Sequence, residues 1–239
     1  PRMLPPFPPS FAVHGGEGLG TLDVPTSQRH ALVESAPEYL VRMARAHQGE
    51  LLLCPIGPLT NIAAAMELDP SFCGNLKGMV VMGGSLRAGG NITSAAEANF
   101  YHDPHAADYV VRYGCNITLV GLDVTNRVIC SRSFFVGLAS ESRKMGGLLR
   151  DMADYYIDFY ETVGKFAGCG MHDPSALVAC IAPELFTTEP HALRVTCHGD
   201  RSGEMIIEES STAQPVNVCT DVQAEAVKQN FFNNVAKLS

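Results

Sequence analysis

The residues best suited to chemistry lie between positions 79 and 104. This stretch opens with the apolar run Met79 to Met82, whose length and β-branched content are typical of a buried strand. Glycines follow, and after them come Asn91, Glu97 and Asn99. The carboxylate only accepts hydrogen bonds, whereas each amide both donates and accepts. This set of side chains is suited to binding the hydroxyl groups of a sugar.

A second interpretation of the same stretch stays open from the pattern alone. A glycine-rich surface loop with ordinary polar side chains would have the same composition, because glycine permits tight turns wherever a chain must reverse. A phosphate-binding loop is excluded, since the stretch has neither the G-x-G-x-x-G order nor a G-K-[ST] sequence.

Composition limits the class of protein. The chain has 239 residues, of which 46% are hydrophobic and 18% charged, and its formal net charge is -8. These values fit one α/β domain with a sizeable core. The negative charge argues against binding to nucleic acid or to anionic membranes. The same charge leads us to expect a small neutral or cationic ligand, or a metal cation. No apolar run approaches the roughly 20 residues of a membrane-spanning helix.

The eight cysteines contain no C-x-x-C pair and are scattered through apolar segments. Such cysteines are typical of small core residues in a reducing compartment. The sequence therefore predicts free thiols and a cytoplasmic protein.

Elements that position the polar stretch alternate between strand and helix. Ser35 starts a capping box for a helix. Asp103 and Pro104 form an N-cap and first-turn pair, for a helix that runs to Tyr113 and stops at Gly114. Asp173 and Asp221 are predicted to cap helices in the same way. The alternation predicts an α/β fold with a mostly parallel sheet and helices on both faces.

Domain organisation is predicted to be simple. Residues 1–12 are rich in proline and are expected to be a leader or a truncation scar, because proline is excluded from helix interiors and central strands. Residues 13–239 show no linker or internal repeat, and we assign them to one domain.

Several short segments form one pattern along the chain. They are V-H-G-G-E-G-L-G at 13–20, I-G-P-L-T-N-I-A at 56–63, M-G-G at 82–84, G-N at 90–91, A-E-A-N at 96–99, D-P-H-A-A at 103–107 and H-D-P at 172–174. Together they resemble the inosine-uridine preferring nucleoside hydrolases. One position departs from the family pattern, because Ala98 stands where family members commonly have phenylalanine, which affects the packing expected around the sugar.

The resemblance implies an enzyme of purine and pyrimidine salvage that hydrolyses ribonucleosides to free base and ribose. Its substrate-binding residues would be Met82, Asn91, Glu97, Asn99 and His14. A homo-oligomer is also implied, with a small-molecule ribonucleoside as its ligand.

The resemblance further implies a leaving-group acid and a calcium site. His172 would stand beside the departing base, while Asp173 and the backbone carbonyl of Ile56 would ligate calcium. We expect loops at the strand ends to bring Glu97 and Asn99 within reach of His172 and Asp173.

One family motif is absent from the 239 residues. The D-T-D-x-G-x-D-D sequence, which supplies most calcium carboxylates and the water-activating aspartate in the family, does not occur. We therefore expect either a fragment of a longer product, missing its first strands, or a form without catalysis. A non-catalytic module that binds a nucleoside or a partner is the alternative function, and a plain nucleotide-binding α/β domain is the third.

An aromatic group at helical spacing has two interpretations. Tyr155, Tyr156, Phe159 and Tyr160 are expected to pack against the sheet, and contact with a nucleoside base is the alternative.

Overall fold

The structure is a computed structural model in which two compact units are distinguished. Unit 1 contains described residues of 31–124 and 175–222, and unit 2 contains described residues of 11–30, 125–174 and 223–238. The structure describes residues 11–16, 18–25, 27–163, 167–208 and 214–238. The expected leader, residues 1–12, therefore lies largely outside the described residues. The assignment of 13–239 to one domain stays a prediction.

The strands are short, and most follow a helix. They are β1 (Leu52–Leu53), β2 (Gly78–Met82), β3 (Ile117–Val120), β4 (Ile129–Cys130), β5 (Cys169–Gly170), β6 (Phe186–His191), β7 (Leu193–Val195), β8 (Met205–Ile207) and β9 (Val216–Val222).

The helices are the larger part of the fold. They are α1 (Phe11–His14), α2 (Ala36–Ala46), α3 (Thr60–Leu68), α4 (Ala98–His102), α5 (Pro104–Tyr113), α6 (Leu122–Thr125), α7 (Arg132–Glu141), α8 (Gly146–Thr162), α9 (His172–Ile181) and α10 (Ala224–Ala236), with 3₁₀ turns at Cys73–Asn75 and Pro183–Leu185.

The main sheet of unit 1 has the strand order β1-β2-β3-β9-β6. The first four strands pair in parallel, and β6 pairs antiparallel with β9. The prediction of an α/β fold with a mostly parallel sheet is confirmed. The sequence analysis did not identify β6, whose Pro190 is tolerated because it lies in an edge strand.

Burial explains why β2 lies inside the sheet. All of its residues are buried, as expected for a parallel strand that is covered on both faces. Met82 pairs with Val120 at the end of β3, so the loops that follow these two strands leave the sheet at the same edge. In open parallel sheets, this carboxyl-terminal edge is where ligands commonly bind.

Helix starts confirm two capping predictions and contradict two others. Ser35 forms the predicted capping box with Glu38, and Asp103 caps α5, which ends before Gly114 as expected. Asp221 is wrong as the cap of the last helix, because β9 continues through it and Gln223 precedes α10. Asp173 lies inside the first turn of α9, since that helix already begins at His172.

Unit 2 is built mainly from helices. Helix α7 packs against both α8 and α10, and α1 packs against α8. Strands β4 and β5 form a small antiparallel pair in which Cys130 lies opposite Cys169. No helix in the described part of the chain is both long and apolar enough to cross a membrane.

Candidate active site

Glu97 is the central polar residue of the loop that follows β2. Its side chain is only 2% exposed, and it caps the start of α4. Oε1 accepts a hydrogen bond from the backbone N–H of Asn99 at 2.9 Å. Oε2 accepts from the backbone N–H groups of Gly84 at 2.9 Å and Phe100 at 3.1 Å. The carboxylate therefore connects the end of β2 to α4.

Asn99 joins three segments at the same edge of the sheet. Its Nδ2 donates to the carbonyl oxygen of Met82 at 3.2 Å and lies 3.4 Å from that of Ile56. The Sδ of Met82 is 3.3 Å from the same nitrogen. Unit 1 thus brings together Ile56, Met82 and Asn99, which are separated along the chain and were predicted as site residues.

Asn91 fixes the other end of this loop. Its Oδ1 accepts a hydrogen bond of 2.9 Å from the backbone N–H of Ala98, the first residue of α4. Its own N–H donates to the carbonyl of Ala96 at 3.2 Å. Asn91 is exposed, so the side chain holds the loop while remaining accessible to a ligand.

The glycines after β2 are required by a close approach. A Cβ on Gly83 would lie 2.6 Å from the ring of Phe100, and Gly84 has a φ of 71°. A larger residue at either position would displace Phe100 or strain the backbone. The two glycines therefore let the polypeptide pass directly over the buried ring of Phe100 in helix α4.

Asp123 is a structural residue of this loop that the sequence analysis missed. Its carboxylate accepts three backbone hydrogen bonds, from Leu86 and Arg87 at 2.7 Å each and from Ala88 at 3.1 Å. Asp123 lies three positions after the end of β3. A lone acidic residue shortly after a predicted strand is the sequence feature that could have identified it. Asp123 holds the glycine-rich loop against the segment that follows β3.

His172 lies in unit 2 and has two hydroxyl partners. Nδ1 shares a hydrogen bond of 2.7 Å with Oγ1 of Thr125, and Nε2 shares one of 3.0 Å with Oη of Tyr160. The ring is 9% exposed and Thr125 is fully buried. A hydroxyl can donate or accept, so these partners satisfy either neutral tautomer and also the imidazolium.

The hydrogen-bond chain continues beyond His172. The hydroxyl of Tyr160 lies 3.0 Å from that of Tyr156, and burial raises the pKa of both phenols. The ring of His14 stacks on Tyr156, with centroids 5.7 Å apart and an interplanar angle of 23°. The predicted residues His14 and His172 are thus connected through two tyrosines, whose expected role was packing.

Asp173 follows His172 in the first turn of α9. Burial raises the pKa of its carboxyl from 3.8 to about 6. A nearby cation would have the opposite effect, because it stabilises the ionised form. The carboxyl therefore lies in surroundings that disfavour its charge.

The candidate calcium ligands do not form a calcium site by themselves. Calcium takes about six to eight oxygen ligands. Within the described ranges, no three His, Cys, Asp or Glu side chains are grouped so that they could hold a metal ion. The Ile56 carbonyl faces Nδ2 of Asn99 at 3.4 Å, and Asp173 contributes one carboxylate.

The predicted residues fall into two groups. Unit 1 contains Ile56, Met82, Asn91, Glu97 and Asn99. Unit 2 contains His14, His172 and Asp173. The expected convergence of the two groups stays a prediction.

Comparison with known proteins gives a family match over most of the chain. The sequence model of the inosine-uridine preferring nucleoside hydrolases matches residues 2–229. A probable uridine nucleosidase 1 of Oryza sativa subsp. japonica is 36% identical over 197 residues, which cover 82% of this chain and 61% of the rice protein. The inosine-uridine preferring nucleoside hydrolase of Crithidia fasciculata is 30% identical over 221 residues, covering 92% of this chain and 69% of that protein. The chain thus spans less than two thirds of the rice relative.

Solved structures agree with the sequence comparison. The purine-preferring ribonucleoside hydrolase from Gardnerella vaginalis superimposes with a TM-score of 0.91 at 33% identity, over 96% of this chain and 74% of that one. A plant nucleoside hydrolase, PpNRh1, gives a TM-score of 0.92 at 30% identity, over 96% and 75% of the two chains. The chain belongs to the inosine-uridine preferring nucleoside hydrolase family.

Proposed function

We propose that the protein hydrolyses the N-glycosidic bond of ribonucleosides and releases free base and ribose. The observation that carries the proposal is the contact of Asn99 with the segments of Met82 and Ile56, beside the buried carboxylate of Glu97. These groups lie at the carboxyl-terminal edge of a parallel sheet, which is a common place for a ligand. The named activities of the relatives support the same reaction.

Glu97, Asn91 and Asn99 are proposed to bind the ribose. Cleavage gives the sugar oxocarbenium character, so an enzyme gains rate by holding the ring and its hydroxyls in position. Oε1 of Glu97 accepts a hydrogen bond from the backbone N–H of Asn99, and a carboxylate oxygen can accept hydrogen bonds from more than one donor. The backbone N–H groups around it fix the carboxylate before the substrate arrives. Met82 is proposed to pack against the sugar.

His172 is proposed to donate a proton to the leaving base. Its two hydroxyl partners accommodate the ring before and after proton transfer, so the side chain can lose a proton without leaving a buried nitrogen unpaired. Tyr160 and Tyr156 extend this chain to His14, which we propose lines the same pocket.

Calcium is proposed as the cofactor, with Asp173 and the Ile56 carbonyl as two of its ligands. A bound calcium ion would supply Lewis-acid activation of water. Because these two groups are too few, the site needs further oxygen ligands, of the type found in the D-T-D-x-G-x-D-D motif of the family.

The alternative is a module that binds a nucleoside or a partner without turnover. The incomplete set of metal ligands among the described residues favours it. Incubation of the purified protein with inosine or uridine, with and without calcium, separates the two functions. Calcium-dependent release of ribose supports hydrolysis, whereas calorimetric binding of ribose with no calcium requirement and no turnover supports the module.

The role of His172 has its own test. In His172→Ala, we expect a loss of 10²- to 10⁴-fold in the hydrolysis of inosine and uridine, as for removal of a general acid. p-Nitrophenyl riboside has a leaving group that departs without protonation, so its hydrolysis should be retained. Equal losses on all three substrates would contradict the assignment.

Assembly and location follow the same proposal. We propose a cytoplasmic homo-oligomer whose ligand is a small-molecule ribonucleoside. Light scattering coupled to size-exclusion chromatography measures the assembly directly, and a monomer at all concentrations would contradict it.

A further inference from the structure

Gly170, the last residue of β5, lies directly against the ring of His172. A Cβ at position 170 would lie 2.8 Å from Nε2 of His172, 2.9 Å from Cε1 and 3.5 Å from Cδ2, and these are the three atoms nearest to it. A Cβ does not tolerate contacts below 3.0 Å. The imidazole therefore occupies the space that any side chain at position 170 would need.

The usual reason for a glycine does not apply at position 170. Glycine is commonly required where the backbone adopts a positive φ, because a Cβ strains that conformation. Gly168 is such a position, with a φ of 137°, but the φ of Gly170 lies outside this region. Alanine could adopt the backbone conformation of Gly170, so the nearest obstacle to a side chain is the ring of His172.

The backbone of Gly170 is fixed by the β4–β5 pair. Gly170 lies opposite Ile129 in this antiparallel pair. The next residue, Met171, donates its backbone N–H to the carbonyl oxygen of Val128 at 2.9 Å. These contacts prevent the strand from moving away to make room for a side chain.

The ring of His172 is held at both nitrogens. Nδ1 shares a hydrogen bond with the hydroxyl of Thr125 at 2.7 Å, and Nε2 shares one with the hydroxyl of Tyr160 at 3.0 Å. His172 is buried, so the ring cannot turn freely into solvent. A methyl group at position 170 would press on Nε2 and move it from the Tyr160 hydroxyl.

We propose that Gly170 is a positioning residue for His172. Because it has no side chain, Nε2 can lie where the hydroxyl of Tyr160 reaches it. The inference rests on the proposed role of His172 as the proton donor, since a displaced ring would present its proton at another place. A misplacement of about 1 Å in a catalytic group can cost about 10²-fold in rate.

Urea unfolding of four proteins tests the contact without an activity assay. They are wild type, Gly170→Ala, His172→Ala and the double variant. In the wild-type background, Gly170→Ala should lower the urea midpoint, because the added methyl group meets the imidazole. In the His172→Ala background the imidazole is gone, and the same substitution should cause no further loss. Equal losses in both backgrounds, or no loss in the wild-type background, would overturn the proposal.

Two other glycines of unit 2 provide matched controls. A Cβ on Gly168 would lie 2.5 Å from the carbonyl oxygen of Cys130, so Gly168→Ala should lower the midpoint equally in both backgrounds. A Cβ on Gly147 would meet nothing within 4 Å, so Gly147→Ala should cause no loss. If Gly170→Ala does not fold, the double variant should still fold as His172→Ala does. Failure of the double variant alone to fold would overturn the proposal.

The ring signals of labelled histidine give a spectroscopic readout at one fixed pH. Gly170→Ala should shift the Nε2 signal of His172, whereas Gly147→Ala should leave it unchanged. An unshifted Nε2 signal in Gly170→Ala would contradict the positioning role.

Hydrolysis rates separate this inference from the proposed function. In Gly170→Ala, we expect hydrolysis of inosine to fall about 10²-fold, with hydrolysis of p-nitrophenyl riboside retained. Equal losses on both substrates, together with a stability loss that disappears in the His172→Ala background, would support the positioning of the ring and contradict proton donation by His172.

Discussion

The two polar clusters of the protein use their hydrogen bonds differently. In unit 1, the side chains of Glu97, Asn91 and Asp123 accept hydrogen bonds from backbone N–H groups. In unit 2, His172 shares hydrogen bonds with the side-chain hydroxyls of Thr125 and Tyr160. The first arrangement fixes the path of a loop, and the second lets a proton occupy more than one position.

In the proposed reaction, the polar cluster of unit 1 would fix the shape of the binding loop, whereas the cluster of unit 2 would handle the proton. A buried carboxylate that accepts several N–H bonds is held rigidly and stays an acceptor. A histidine between two hydroxyls can gain or lose a proton while both nitrogens keep a partner. The structure therefore predicts a large loss of stability when the buried Glu97 carboxylate of unit 1 is removed, and effects on histidine protonation in unit 2.

Glu97→Ala should have the largest effect. It leaves the backbone N–H groups of Gly84, Asn99 and Phe100 without their acceptor in a buried site, and we expect the free energy of unfolding to fall by about 3 kcal/mol or more. Urea unfolding measures the change. Glu97→Gln keeps the shape and one acceptor oxygen and should lose less. A fall below about 1 kcal/mol for the alanine variant would show that the carboxylate does not hold the loop.

Asp173 should make the stability of the metal-free protein depend on pH. Its folded pKa of about 6 lies above the unfolded value of about 3.9. The folded state therefore keeps the proton longer, and the contribution of Asp173 is present below pH 4 and is lost as the pH rises to about 6. The loss is about 3 kcal/mol or less. The difference in unfolding free energy between wild type and Asp173→Asn measures it, and no difference in slope over this range would contradict the assignment.

Thr125→Val should destabilise the protein by about 1 to 3 kcal/mol, because the buried hydrogen bond between Thr125 and Nδ1 of His172 is lost. Thr125→Ser retains the hydroxyl and serves as the matched control. Nitrogen chemical shifts of the His172 ring report the tautomer, and we expect them to change in the valine variant only. Unchanged shifts would mean that Thr125 does not influence the protonation of His172.

Asn91→Ala should have the smallest effect, about 1 kcal/mol, which is typical of the loss of one hydrogen bond. Asn91→Asp keeps the acceptor oxygen and should be close to wild type in thermal unfolding. A larger loss in the aspartate variant than in the alanine variant would contradict the role of Oδ1 as an acceptor for the N–H of Ala98.

Local patterns predicted the parts of the molecule that depend on neighbouring residues. The capping box at Ser35 and the start of α5 at Asp103 are determined within a few positions, and both were predicted. The cap at Asp221 failed because pairing between β9 and β6 extends the strand, and β6 itself was not predicted.

Contacts between distant residues were beyond the sequence analysis. Thr125 and His172 are 47 positions apart, and Asp123 reaches Leu86 across 37 positions. No local spacing encodes these pairs, because the packing of whole elements creates them. The resemblance to a family singled out His172 and Glu97 as candidate site residues, but it did not supply their hydrogen-bond partners.

Titration of ribose into ¹⁵N-labelled protein, with and without calcium, tests the central claim most directly. If the loop after β2 binds the sugar, the backbone amide signals of Gly84, Asn99 and Phe100 should shift together, because all three donate to the Glu97 carboxylate. Saturable shifts confined to residues outside this loop, or no shifts in either condition, would contradict the account.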